Sequence, residues 1–124
     1  MPFILIVEDD DDIAPLEIAL ACIDGVRVTV LTDGRQALKL LQSAKSEIAA
    51  VITDLNLPFV DGFDLVAAIR ADGRYRRLPI IVVSGDDDPE IRDRVTKLGA
   101  DAFFAKPYSP PEIRHTLEGL LYAL

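Results

Sequence analysis

Only one cysteine occurs in the chain, Cys22, so no internal disulfide can form. It falls in an apolar helical stretch, where a small soft side chain is expected in the core. A reduced, cytoplasmic setting is expected for the chain as a whole. No apolar run approaches the roughly 18 residues of a membrane span, so no membrane partner is expected. Met1 leads straight into a strand-like stretch with no basic flank, so no secretory leader is expected either. Positive charge is scarce: 13 basic residues face 21 acidic ones, a formal charge of −8. A nucleic-acid-binding domain needs a basic face to meet phosphates, so no nucleic-acid partner is expected for this domain. The single histidine, His115, lies between Arg114 and Thr116 and reads as solvent-facing. Repeats, low-complexity tracts and Gly/Ser linkers are missing as well.

What is present is regular. Half of the 124 residues are hydrophobic, enough for one core and too few for two, so residues 1–124 read as a single domain. Short apolar runs rich in Val and Ile fall at 3–7, 26–31, 49–53, 80–83 and 102–105. Several are apolar throughout, as strands are when a parallel sheet is covered on both faces. Between them, Ile13, Leu16, Leu20 and Ile23 recur at helical spacing, as do Ile91, Val95 and Leu98, and Ile113, Leu117, Leu120 and Leu124. Weaker helical patterns cover 35–44 and 62–71. Asp88 before Pro89 predicts an N-cap with proline at the first helical position. Ser109-Pro110-Pro111-Glu112 fits a capping box, and Gly99 suits a helix C-terminus.

Five strand–helix repeats imply a parallel sheet with right-handed crossovers and helices on both faces. Five units cannot close an eight-stranded barrel, so a doubly wound open α/β sheet is expected. Ligands in such folds bind outside the carboxyl ends of the strands, where strand order reverses.

The strand ends carry an unusual set. The first run leads into Glu8, Asp9 and Asp10, the third into Asp54 and then Asn56, the fourth into Ser84, Gly85 and Asp86, the fifth into Lys106 and Pro107. One carboxylate at a strand end is ordinary solvation; polar groups of these types at four ends are not. The chemistry that fits is oxygen coordination of a hard cation. Mg²⁺ takes one or two carboxylates with phosphate and water. Glu8, Asp9 and Asp54 supply carboxylates, and a backbone carbonyl near Asn56 adds an oxygen. Lys106 offers a point charge suited to phosphate, Ser84 a hydroxyl donor, and Gly85 room for close backbone approach. Asp54 then reads as a nucleophile that forms an acyl phosphate.

The stretches ILIVEDD at 4–10, TDLNLP at 53–58 with DG at 61–62, VSG at 83–85 and GADAFFAKP at 99–107 carry a family resemblance in their order and spacing. Over essentially its whole length the chain resembles the receiver domain of two-component response regulators, chemotaxis-regulator-like. The resemblance implies a flavodoxin-like five-stranded sheet in the order 2-1-3-4-5. It implies Mg²⁺ on Glu8, Asp9, Asp54 and the backbone carbonyl of Asn56, phosphorylation of Asp54, and supporting roles for Ser84 and Lys106. It makes Phe103 a switch aromatic that moves with Ser84. A sensor histidine kinase or phosphotransfer protein is the implied donor, and the face of helix 4, strand 5 and helix 5 the implied contact for a second copy or an output partner. The family more often has Thr at position 84, and often Met where Leu57 and Val60 stand.

Other readings stand beside this one. Asp10, Asp11 and Asp12 are expected to cap and charge the start of the first helix, and Asp86, Asp87 and Asp88 to cap the fourth. Asn56 and Asp86 are expected to flank the path of an attacking water. Arg70, Arg74, Arg76 and Arg77 read as a solvated basic loop. A Mg²⁺-dependent phosphohydrolase with an aspartate nucleophile is the rival function. Asp9 and Asp11 have its spacing, but Ile13 stands where Thr or Val would be. A flavin site lacks its Ser/Thr-rich phosphate loop. The Lys106–Pro107 peptide is expected to be cis, because strand 5 must end abruptly and turn Lys106 back toward Asp54.

Overall fold

The computed structural model describes residues 2–43 and 47–122. Its strands are β1 (Phe3–Val7), β2 (Arg27–Leu31), β3 (Ile48–Asp54), β4 (Ile80–Ser84) and β5 (Ala102–Ala105). Its helices are α1 (Ala14–Ala21), α2 (Gly34–Gln42), α3 (Gly62–Ala71), α4 (Pro89–Leu98) and α5 (Pro110–Leu121), with a 3₁₀ turn at Gly73–Tyr75. All strand pairs are parallel, in the order β2-β1-β3-β4-β5. The chain steps outward from β1 to β2, then crosses back to β3, so strand order reverses between β1 and β3. Their carboxyl ends flank the crevice where this architecture places ligands.

Alternation along the central strands divides the core. Phe3, Leu5 and Val7 point to one face with Val51, Ile80 and Val82, covered by α2, α3 and α4 through Leu41, Leu65, Ile69 and Val95. Ile4 and Ile6 point to the other with Ile52, Ile81 and Val83, covered by α1 and α5 through Leu16, Leu20, Ile113 and Leu117. Both faces being dry, β1 and β4 are buried at every residue, whereas the edge strands β2 and β5 are mostly half-buried.

Asp88 caps α4 as expected, its side chain accepting the backbone N–H of Glu90; Asp33 and Asp61, which the sequence pattern did not single out, likewise accept those of Gln36 and Asp64. Ser109 accepts that of Glu112 at 3.4 Å. Gly99 closes α4 at φ 115°, a left-handed value that disfavours any side chain. Leu124 and position 44, placed in helices by the pattern, lie outside the described residues.

Three expectations change. Cys22 is exposed, not core. Leu16, Ala19, Leu20 and Ile23 fill the buried stripe, and the thiol sits off it, 3.4 Å from the Ile18 carbonyl. Asp10–Asp12 do not cap α1: Ile13 occupies the N-cap without a side-chain bond, and Asp10 Oδ1 accepts the Asp12 N–H within the loop. Arg70 is no solvated loop residue. From the end of α3 its Nε donates to the Gly99 carbonyl (3.0 Å), Nη1 to Tyr75 (2.8 Å) and Nη2 to Asp101 Oδ2 (3.0 Å). Asp101 Oδ2 also accepts the Ile80 N–H at 2.8 Å. This network ties the foot of α4 to α3 and to the start of β4.

The start of α3 is wedged beneath the end of β3. A Cβ on Gly62 would stand 2.3 Å from the Asp54 carbonyl oxygen and 2.6 Å from Leu55 Cα, both backbone atoms. Gly62→Ala should therefore cost about 1–3 kcal/mol in urea denaturation. Gly119→Ala, in the body of α5 with nothing within 4 Å of the added atom, should gain about 0.5–1 kcal/mol.

Candidate functional site

The carboxyl edge of the sheet gathers side chains from four strands. Glu8 directly follows β1 and is 3% exposed. Its backbone N–H donates to the Leu31 carbonyl at 3.0 Å, which fixes it in line with the sheet. Asp54 is the last residue of β3 and is buried; Asp9 beside Glu8 is exposed. Carboxylate oxygens of Glu8, Asp9 and Asp54 all lie within 4.8 Å of one another, close enough to hold one ion.

Lys106 enters from beyond β5, where its backbone N–H donates to the Ser84 carbonyl at 2.7 Å. The Lys106–Pro107 peptide is cis. Its Nζ lies 2.7 Å from Asp54 Oδ2 and 2.6 Å from Glu8 Oε1, so one ammonium bridges two carboxylates. The second Asp54 oxygen, Oδ1, accepts the Asn56 N–H at 3.1 Å. Ser84 ends β4 and is buried, with its Oγ accepting the Asp86 N–H at 3.1 Å. The register sets Asp54 beside Val83 and Ser84 beside Ala105, so Ser84 stands between the strand bearing Asp54 and the strand leading to Lys106.

Burial pushes the Glu8 carboxyl up from its ordinary 4.5 to about 7, with Asp54 adding to the rise and Lys106 opposing it. Burial also acts to raise Asp54. Its hydrogen bonds with Glu8, Lys106 and the Asn56 N–H outweigh that and hold it below the usual carboxylate range. Burial alone would lower Lys106; its bonds to Asp54 and Glu8 raise it instead. Of the two buried carboxyls, Asp54 is thus the one held in its ionised form, beside the Lys106 cation. That is the state a nucleophile needs.

Glu8, Asp9, Asp54 and Lys106 come together as the sequence suggests, with Ser84 on the neighbouring strand and exposed Asn56 at the mouth. Phe103 does not join them. It pairs with Val82 on β4 and packs half-buried on the α4 side, under the Arg92 guanidinium, 4.6 Å from the ring centre. A Cβ on Gly85 would meet no protein atom within 4 Å, so the fold itself demands no glycine there. Of the second acidic run only Asp88 caps α4. Asp86 turns its carboxylate to the Asp88 N–H, and Asp87 pairs with Arg92 at 2.6 Å. The Glu8–Lys106 contact and the Arg92 stack were not foreseen. The first needs strand order to be known, and the second depends on which face of α4 meets β5. A cleft of about 510 Å³ between the β1–α1 and β5–α5 loops, lined by Glu8, Asp10, Asp12, Pro15, Lys106 and Tyr108 among others, gives access to the site from the α1 side.

A family model described as the response regulator receiver domain matches residues 4–118. The solved receiver domain of sensor histidine kinase PA1611 from Pseudomonas aeruginosa PAO1 has a magnesium ion coordinated in its active site cleft. It aligns with a TM-score of 0.79 and 29% identity, over 96% of each chain. Chemotaxis response regulator CheY4 of Vibrio cholerae aligns with a TM-score of 0.83 and 30% identity, over 97% of this chain and 98% of that one. Sensor histidine kinase TmoS of Ectopseudomonas mendocina is 32% identical over 120 residues, 97% of this chain. The chain spans only 12% to 17% of the length of the larger curated relatives it matches.

The raised Glu8 sets a pH dependence. Its proton is held more tightly folded than unfolded, so its stabilising contribution is complete below pH 4.5 and lost as pH rises through about 7. In EDTA, Glu8→Gln should gain in melting temperature relative to the parent between about pH 5 and about pH 8. A gap that narrows instead would mean that Lys106 keeps Glu8 ionised throughout.

Proposed function

Because the chain belongs to the response regulator receiver domain family, we propose that it works as a phosphorylation-dependent signalling switch of a two-component system, with residues 1–124 acting as one receiver unit. Asp54 is the phosphoacceptor. The observation that carries this reading is the bridge from Lys106 to Asp54 at 2.7 Å, which pairs a buried, ionised carboxylate with a fixed cation at a strand end. A sensor histidine kinase or a phosphotransfer protein is the donor. A carboxylate oxygen of Asp54 attacks the phosphorus of a phosphohistidine. The O–P bond forms as the P–N bond breaks, and the imidazole leaves and takes up a proton. Lys106 neutralises charge on the phosphoryl oxygens, and the Ser84 hydroxyl donates to one of them. The domain is a switch that assists its own phosphorylation and dephosphorylation, not an enzyme acting on a separate substrate.

The residues present fit Mg²⁺. Glu8, Asp9 and Asp54 offer three hard carboxylates within 4.8 Å of one another, and the Asn56 carbonyl adds a fourth oxygen. Burial raises the Glu8 carboxyl despite the Lys106 ammonium beside it, so a further cation held by this cluster would stabilise its charge. The ion, when bound, would neutralise the transferred phosphoryl group.

Phosphate on Asp54 draws the Ser84 hydroxyl toward it, and Phe103 turns inward into the space vacated under α4. The face of α4, β5 and α5 then changes, and a second copy or an output partner reads it. No nucleic acid and no membrane is read by this domain, and its place is the cytoplasm. Among the described residues no helix is long and apolar enough to cross a membrane.

Incubation with acetyl phosphate and Mg²⁺ should add one phosphate, seen by intact mass. EDTA should abolish the addition, and Asp54→Asn should take none. Phosphate on the Asp54→Asn variant at the parent's yield overturns the assignment.

A further inference from the structure

Helix α4 is fastened more loosely than its neighbours. Of its ten residues only Val95 is buried. Two arginines on its surface make up for this by lying over aromatic rings of the elements beside it. Arg94 stacks on Phe63 of α3, 3.9 Å from the ring centre, and Arg92 on Phe103 of β5 at 4.6 Å. The two look alike but differ in what else they touch. Arg92 Nη2 also pairs with Asp87 Oδ1 at 2.6 Å. Asp87 sits in the loop whose first bond is Asp86 N–H to Ser84 Oγ, 3.1 Å, and whose next is Asp88 N–H to Asp86 Oδ1, 3.1 Å. A continuous run of contacts therefore leads from the Ser84 hydroxyl, through the loop at 85–88, to the Arg92 guanidinium and on to the Phe103 ring.

We infer that Arg92 is a positioning residue of the switch: it holds the Phe103 ring in the resting arrangement and links its release to Ser84. When the Ser84 hydroxyl turns toward Asp54 it gives up the Asp86 N–H, and the loop that aims Asp87 at Arg92 loses its anchor. When Phe103 turns inward it leaves the guanidinium. Arg92 thus interacts with one state and not the other, which is the requirement for biasing an equilibrium. Arg94 stacks on a ring that takes no part in the movement and carries no link to Ser84, so it fastens the helix without biasing the switch. This inference rests on the receiver-switch reading above and names a regulator of that same site.

The test is a titration of ¹⁵N-labelled protein with beryllofluoride in Mg²⁺, followed by NMR, for the parent chain and for Arg92→Ala, Arg92→Lys and Arg94→Ala. Without beryllofluoride, the Arg92→Ala signals from residues 100–105 should already be displaced along the line joining the parent's free and bound positions. Its midpoint should fall about two- to five-fold, the size of one exposed cation–π contact. Arg92→Lys, which keeps a cation for the ring and for Asp87, should lie between Arg92→Ala and the parent. Arg94→Ala should keep the parent's midpoint. Equal shifts in Arg92→Ala and Arg94→Ala would mean that loosening the helix suffices, and would overturn the assignment. So would an Arg92→Ala titration that superposes on the parent's. A parent chain whose shifts stay within the pocket and never reach Phe103 is a different failure, since it removes the switch reading itself.

Discussion

One ammonium holds the site together. Lys106 reaches from beyond β5 across the end of β4 to carboxylates on β3 and β1, ending 2.7 Å from Asp54 and 2.6 Å from Glu8. The strands it joins are not neighbours, because β4 lies between β5 and β3. Three carboxylates within 4.8 Å of one another repel, and Lys106 is the cation whose ion pairs with two of them, Glu8 and Asp54, are seen among the described residues. The side chain that compensates the acids therefore also passes over Ser84, the residue at the end of the strand it crosses. Ser84 thus closes the strand that separates the Asp54 carboxylate from the chain carrying the cation.

The sheet was legible because each strand is a short apolar run that ends in a polar residue, and because dry strands and amphipathic helices have different periods. The acids and the lysine stood out for the same reason: a polar group closing a Val- and Ile-rich run is conspicuous. Pairwise contacts were not legible. Nothing local tells that Glu8 and Lys106, nearly a hundred positions apart, share a hydrogen bond; strand order decides it. Charge runs misled in a consistent way. Asp10–Asp12 precede α1 as caps would, yet the helix starts only at Ala14, and the run is spent on a turn of its own. Arg70 looked like one arginine of a basic loop. It is the last-turn cation of α3, reaching four backbone or carboxylate acceptors that only the folded chain gathers. Cys22 failed because an apolar stretch surrounds it while the helical stripe passes it by.

The arrangement separates firm parts from soft ones. The site sits on strand ends whose neighbours are dry on both faces, and the start of α3 is wedged against the Asp54 backbone with no room for a methyl group. That precision suits a centre that must hold oxygen atoms to tenths of an ångström. The face proposed to report its state is built from the helix with least burial and from an edge strand that is half-exposed along its length.

The network at the foot of α4 gives that softness a direction. Arg70 and Asp101 clamp Gly99 and the start of β4, whereas the head of the helix meets solvent at residues 85–90. A rod bonded at its foot and held nearer its head mainly by surface stacks of Arg92 and Arg94 yields most easily by swinging about the foot. Ten residues of helix make an arm of about 15 Å, so a tilt of about 10° at the clamp carries the head through about 2.5 Å and leaves the foot where it was. Displacement is therefore multiplied along the arm and delivered at the acidic tip beside Ser84, with the opposite rim of the sheet serving as its fulcrum.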